Sequence, residues 1–231
     1  MLALTGWSFA DEPKVDTPKV APASESKNEG KENIFEKDIQ AFEAKDKEHP
    51  PQPGQVVFVG SSSVRLWDLK KSFPKLDALN RGFGGSQTSD AVFYAKRIVT
   101  AYKPRMVVFY SGDNDLGSGK SPEQVAKDVQ AFVEAVRADM REVPIILLSI
   151  KPSVKREKLI DKQKVANKLI QDNAVGQKNV TFIDVVPAML TSEGKPRPEI
   201  FRDDQLHMND EGYKIWAGLL EKLVAPSPEV K

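Results

Sequence analysis

Short apolar runs recur along the central part of the chain and indicate strands. They cover residues 56–59, 77–80, 106–110, 145–150 and 180–184. Most of them are continuously apolar and do not alternate with polar residues, which is typical of strands buried on both faces. The pattern therefore predicts a parallel sheet whose two faces are covered by helices.

Helical patterns separate these runs. The clearest begins with Ser121 as the capping residue, Pro122 at the first helical position and Gln124 three residues after the cap. Its apolar stripe consists of Val125, Val129, Phe132, Val133, Val136 and Met140. A second helix carries Leu159, Ile160, Val165, Leu169 and Ile170, and a last helix, capped by Asn209, carries Ile215, Trp216, Leu219, Leu220 and Leu223. This alternation predicts an α/β fold, a three-layer α/β/α sandwich around a central, mostly parallel five-stranded sheet.

The two ends of the chain differ in composition from its centre. Residues 1–10 are apolar and end in alanine before an acidic stretch, like the back half of a secretory signal. We therefore expect a secreted or periplasmic protein, the alternative being an apolar terminus of a cytoplasmic one. Residues 11–32 lack large apolar side chains and are expected to form a flexible tether. The domain is predicted over residues 33–225, beginning with an amphipathic helix at 33–48, and residues 226–231 form a tail.

Composition excludes several classes of function. The chain has 34 Lys and Arg against 33 Asp and Glu, so no long-range field favours nucleic acid as a partner. It has no Cys and two His, His49 and His207, which excludes thiol nucleophiles and makes a metal site unpromising. No apolar run approaches the roughly 18 residues that a membrane span requires. We expect no metal, no cofactor and no integral membrane span.

Polar and glycine-rich loops follow the first three predicted strands. In open α/β sheets the binding crevice lies beyond the carboxyl ends of the strands, so these loops are where site residues are expected. They contain Gly60-Ser61-Ser62-Ser63, then Gly84-Gly85-Ser86, then Gly112-Asp113-Asn114-Asp115. Taken singly, each loop also suits a structural role, as a helix cap, a tight turn or a capping turn. Their conjunction at one edge of the sheet favours an active site.

A carboxylate precedes His207 by three residues. Asp204 can orient one ring nitrogen of His207 and leave the other facing the crevice. His49 lies in a charged, proline-rich segment, so His207 is the candidate base. A metal site built from His207 with Asp113, Asp115 or Asp204 is the alternative, although zinc sites usually have more than one His or Cys ligand.

From about residue 55 to residue 223 the sequence resembles the SGNH or GDSL-like hydrolases. The family's Gly-Asp-Ser block is matched by Gly60-Ser61-Ser62, with Ser61 in place of Asp, and its second-block glycine by Gly85, followed by Ser86 where many members have Asp. The last two blocks are matched by Gly112-Asp113-Asn114-Asp115 and by Asp204-Gln205-Leu206-His207. The run Gly-Ser-Ser with Arg65-Leu66-Trp67 is similar to bacterial members described as lysophospholipase-like or similar to platelet-activating-factor acetylhydrolase.

The resemblance implies a flavodoxin-like fold and a serine esterase. Ser62 would be the nucleophile, His207 the base and Asp204 its orienting acid, with the oxyanion bound by the Ser62 and Gly85 amides and the Asn114 side chain. Expected substrates are small-molecule or polysaccharide esters, with short acyl groups such as acetyl, or lysophospholipid-like esters. The alternative is a non-catalytic carbohydrate- or lipid-binding module that keeps the fold. A conventional α/β-hydrolase is disfavoured because Val64 replaces the second glycine of its Gly-x-Ser-x-Gly elbow. The oligomeric state is not predicted.

Overall fold

The computed structural model describes residues 34–225 and contains a five-stranded parallel sheet. Its strands are β1 Val56–Gly60, β2 Ala78–Gly82, β3 Met106–Tyr110, β4 Ile145–Leu148 and β5 Val180–Ile183. They lie in the order β2-β1-β3-β4-β5, and every neighbouring pair is parallel. The predicted sheet is therefore confirmed.

Eight α-helices connect and cover the strands in the described part of the chain. They are α1 Glu36–Glu48, α2 Ser62–Arg65, α3 Leu69–Ser72, α4 Thr88–Ile98, α5 Asp113–Gly117, α6 Pro122–Asp139, α7 Ile160–Ala174 and α8 Asp210–Val224. Short 3-10 segments lie at Thr100–Tyr102, Val154–Leu159, Pro187–Met189 and Pro198–Ile200. The Ser121 side chain accepts a hydrogen bond from the Gln124 amide and so caps α6 as the sequence predicts.

Alternate residues of each central strand pack into two separate hydrophobic cores. Val57 and Val59 of β1 contact the core formed with α1, α4, α6 and α7. Val56 and Phe58 point the other way, into a core that α2, α3 and α8 complete. Because successive side chains of a strand point to opposite faces, this division confirms the three-layer α/β/α sandwich.

Some predicted details of the helices and strands are wrong. The strand and helix bounds differ by a few residues, and the buried stripes of α7 and α8 leave Val165, Leu219 and Leu223 47%, 38% and 40% exposed. Leu159 belongs to a 3-10 segment before α7. The strand predicted at 145–150 ends at residue 148, and the one predicted at 77–80 covers residues 78–82.

The predicted N-terminal helix corresponds to α1, which buries Ile39. Arg97 of α4 forms ion pairs with Glu36 and Glu43 and thereby ties α1 to the domain. The predicted signal segment, tether and tail lie outside the described residues and stay predictions. Between residues 34 and 225, no helix is both long and apolar enough to span a membrane.

The first three strands end level with one another. Gly60 at the end of β1 pairs with Gly82 of β2 and with Tyr110 of β3. The loops that follow these strands therefore open at one edge of the sheet, where the candidate residues of the sequence are found.

Candidate active site

A sharp turn after β1 places Ser62 at the start of α2. Gly60 has a φ of +151°, and a Cβ at this position would lie 1.9 Å from the carbonyl oxygen of Tyr110. A Cβ on Gly82 would lie 2.2 Å from the Arg65 amide nitrogen, so this second glycine lets α2 pack directly on the end of β2. Ser61 occupies the capping position of α2, but its side chain makes no capping hydrogen bond. The turn is therefore built by the glycines, and Ser62 is left partly accessible at its apex.

A closed loop before α8 carries Asp204 and His207. Phe201 and Met208 form an antiparallel bridge at its base. Gln205 adopts a left-handed conformation with a φ of +56°, which turns the chain within the loop. One carboxylate oxygen of Asp204, Oδ1, accepts hydrogen bonds from the amides of Leu206 and His207, both at 2.9 Å. These bonds fix the carboxylate relative to the histidine backbone.

Ser62, His207 and Asp204 form one chain of hydrogen bonds. Nε2 of His207 lies 3.0 Å from Oγ of Ser62, and Nδ1 lies 2.5 Å from Oδ2 of Asp204. Partial burial raises the pKa of the Asp204 carboxyl, but the hydrogen bonds from the His207 ring and from two backbone amides outweigh this effect and hold it below its ordinary value. An ionised carboxylate can only accept, so Nδ1 of His207 supplies the hydrogen of this bond and Nε2 is the ring nitrogen that faces Ser62.

Two backbone amides near the hydrogen bonds of Ser62, His207 and Asp204 have no acceptor within residues 34–225. They belong to Ser62, at the first position of α2, and to Gly85, an exposed residue with a φ of +83°. Nδ2 of Asn114 donates one hydrogen bond to the carbonyl oxygen of Ser86, at 3.0 Å. This bond holds Asn114 against the glycine loop, and its second N–H stays available. The arrangement offers three donors that can meet a developing negative charge.

The acidic residues on either side of Asn114 are both neutralised by cations. Asp113 lies 2.8 Å from Nη1 of Arg156 and 3.7 Å from Nζ of Lys151. Asp115 is fully buried and accepts from Lys120 and from the Thr88 amide. Neither carboxylate lies with His207 in a metal-binding group, and the described residues contain no cluster of side chains arranged to hold a metal.

Lys151 and Arg156 also contact residues of the site, and the sequence does not predict either of them as a site residue. Lys151 is 1% exposed, and burial lowers the pKa of its ammonium group. Its Nζ donates to the carbonyl oxygen of Leu206, at 2.8 Å, next to His207. The sequence contains a signal for Lys151, because this residue follows β4 at the same carboxyl edge of the sheet as the loops after β1, β2 and β3.

Comparison with known proteins shows the family and its sequence relatives. Residues 63–215 match the model of the GDSL-like Lipase/Acylhydrolase family, a span that begins just after Ser62 and includes Gly85, Asn114 and His207. Platelet-activating factor acetylhydrolase IB subunit alpha1 of Bos taurus is 27% identical over 179 residues, which are 74% of each chain. Subunit alpha2 of Rattus norvegicus is 28% identical over 201 residues, covering 82% of this chain and 84% of its own.

Solved structures share the fold at lower identity. A protein from Streptococcus pneumonia described as a platelet activating factor superposes with a TM-score of 0.73 at 21% identity, covering 82% of this chain and 92% of its own. A family 3 carbohydrate esterase from Talaromyces cellulolyticus gives a TM-score of 0.57 at 19% identity, covering 74% and 98%. Since the family model spans most of the sandwich, the chain is an ester-bond hydrolase that belongs to the SGNH or GDSL-like lipase/acylhydrolase family.

Proposed function

We propose that this protein is a serine esterase that hydrolyses carboxylic esters through an acyl-enzyme on Ser62. The observation that carries the proposal is the continuous hydrogen-bond chain from Ser62 Oγ through His207 to Asp204. A serine hydroxyl is a weak nucleophile by itself, and a base within hydrogen-bond reach activates it.

In the first half of the reaction, Oγ of Ser62 attacks the ester carbonyl carbon while its proton passes to Nε2 of His207. The Asp204 carboxylate stabilises the imidazolium that forms. The negative charge that develops on the carbonyl oxygen is met by the Ser62 and Gly85 amides and by the Asn114 side chain. The ester C–O bond then breaks, and the leaving alkoxide takes the proton from Nε2.

In the second half, water repeats the sequence in place of the serine. His207 accepts a proton from water, and the hydroxide attacks the acyl carbon. When the second tetrahedral intermediate collapses, the bond to Oγ breaks and Ser62 regains its proton from the imidazolium. The carboxylic acid leaves, and the enzyme returns to its starting state without a cofactor.

The proposed substrates are short-acyl esters, above all acetyl esters of carbohydrates or of lysophospholipid-like molecules. Two kinds of similar protein support this choice by their names. The sequence relatives are acetylhydrolases, and the structural neighbours include a carbohydrate esterase and an acetyl esterase.

The test is hydrolysis of p-nitrophenyl acetate, butyrate and octanoate by the wild type, Ser62→Ala and the neighbouring control Ser61→Ala. We expect Ser62→Ala to lose at least about 10³-fold in kcat, whereas Ser61→Ala stays active because its hydroxyl does not bond His207. Acetate should be the best of the three esters. Equal rates in the wild type and Ser62→Ala would contradict the proposal, and inactivity towards every ester together with failure of a fluorophosphonate to label Ser62 would favour a binding module.

A further inference from the structure

One guanidinium group joins two adjacent residues of α5. Nη2 of Arg156 donates to Oδ1 of Asn114 at 3.0 Å, and Nη1 lies 2.8 Å from Oδ2 of Asp113. Arg156 belongs to the 3-10 segment Val154–Leu159, and its side chain is 20% exposed. The loop after β4 therefore reaches across to the loop after β3.

These contacts decide which way the Asn114 carboxamide faces. A guanidinium can only donate, and the carbonyl of Ser86 can only accept. Arg156 can therefore bond only Oδ1 of Asn114, and the Ser86 carbonyl can bond only Nδ2. Each of the two distances is 3.0 Å. A rotation of the carboxamide by 180° would place an acceptor against the Ser86 carbonyl and a donor against the guanidinium. The contacts with Arg156 and with Ser86 both disfavour that rotation.

The surrounding residues hold Arg156 itself in place. Asp113 is 4% exposed, so its charge is drawn to the neighbouring cations and not to bulk water. Nε2 of Gln163 donates to Oδ1 of the same carboxylate, at 3.4 Å. A Cβ on Gly117 would come within 3.1 Å of the Arg156 Cζ, so this glycine leaves room for the guanidinium against α5.

We propose that Arg156 is a positioning residue, which holds the Asn114 carboxamide with its free N–H turned towards the carbonyl oxygen of the bound ester. The inference rests on the proposed function, because the orientation matters only if Asn114 binds the oxyanion. If the carboxamide could rotate, its oxygen would face the developing negative charge for part of the time. Removal of Arg156 should therefore lower kcat through Asn114 and leave KM nearly unchanged.

A double-mutant cycle tests this inference on the hydrolysis of p-nitrophenyl acetate. We expect Arg156→Met to lower kcat by roughly 10- to 100-fold and Asn114→Ala by about 10²- to 10³-fold. The double variant should be no slower than Asn114→Ala alone, because the arginine then has nothing to position. Arg97→Met is the matched control: it removes an arginine ion-paired with Glu36 and Glu43 and should leave kcat unchanged.

The role of Arg156 would be overturned if the kcat losses of the two single variants multiply in the double variant. A wild-type kcat in Arg156→Met would overturn it as well. If Arg156→Met does not fold, Arg156→Lys keeps a cation beside Asp113 and replaces it in the cycle. The lysine variant should lose part of kcat, because its single ammonium cannot reproduce the planar pair of contacts, and a wild-type kcat would again overturn the role. Full activity of Ser62→Ala would instead contradict the proposed function, so the two failures are distinguishable.

Discussion

Oγ of Ser62 and Nε2 of His207 lie 3.0 Å apart although 145 positions separate them in the sequence. Two structural features bring them together. Ser62 follows β1 at the carboxyl edge of the sheet, and His207 precedes α8, which packs on the same side as α2. The hydroxyl of Tyr213, in the first turn of α8, donates to the carbonyl oxygen of Ser63 at 2.9 Å. The helix that follows the histidine loop is thus bonded directly to the nucleophile turn.

Replacement of Asp204 should damage catalysis without damaging the fold. Asp204→Asn keeps an oxygen for the Leu206 and His207 amides but removes the charge that stabilises the imidazolium. We expect kcat for p-nitrophenyl acetate to fall by about 10³-fold or more. Asp203→Asn, at the adjacent exposed acid, is the control and should keep wild-type activity. Equal losses in both variants would argue against an orienting role for Asp204.

The pH dependence of kcat/KM should have a single step on its acid side. Because the pKa of Asp204 lies below its ordinary value, the favourable contribution of its charge is present above that ordinary value, near 3.9, and is lost only as the pH falls through the lower folded value. Between pH 4 and 8 the carboxylate therefore stays ionised, and only protonation of the base lowers the rate. Once the base is protonated it cannot accept the Ser62 proton, so kcat/KM should fall about tenfold per pH unit along this acid limb. A rate that stays flat down to pH 4 would contradict a histidine base.

Gly60 should tolerate no side chain, whereas Gly85 should tolerate one. A Cβ at Gly60 would lie 1.9 Å from the carbonyl oxygen of Tyr110, a backbone atom that the sheet holds in place. We expect Gly60→Ala to lower the free energy of unfolding by at least about 3 kcal/mol, as in severe overpacking. A Cβ at Gly85 meets nothing within 4 Å, so Gly85→Ala should cost only the backbone strain of its positive φ, about 1–2 kcal/mol. Urea denaturation measures the free energy of unfolding of both variants. Equal losses would show that the turn after β1 can relax around a side chain.

Lys151 should stabilise both the fold and the histidine loop. Its ammonium group is buried, bonded to the Leu206 carbonyl and close to Asp113, so Lys151→Met removes the donor to that carbonyl and one of the two cations beside Asp113. We expect a loss of about 1–3 kcal/mol in the free energy of unfolding and a lower kcat. Lys155→Met, at an exposed position of the same segment, is the control and should change neither quantity. Wild-type stability of Lys151→Met would mean that the buried ammonium group contributes nothing to the free energy of unfolding.

Much of the fold can be predicted from the sequence because it depends on local patterns. Continuous apolar runs predict the strands of a covered parallel sheet, and the Ser121 cap with its apolar stripe predicts α6. The candidate residues Ser62, Gly85, Asn114 and His207 are predicted for a related reason. Each lies in a loop with recognisable polar or glycine-rich composition, and a resemblance to known blocks supports the set.

The contacts of Asp113, Lys151 and Arg156 are decided only by the tertiary structure. In the sequence, Asp113 is one of two acids next to Asn114, and it serves equally well as a turn residue or a metal ligand. Its partner Arg156 comes from the loop after the next strand, and Lys151 reaches from that loop to the carbonyl of Leu206. The exposure of Val165 is decided in the same way, because it depends on which stripe of α7 meets the sheet. A local pattern determines how a segment folds, but the partner of a buried charge depends on which loops the packed sheet brings within hydrogen-bond distance.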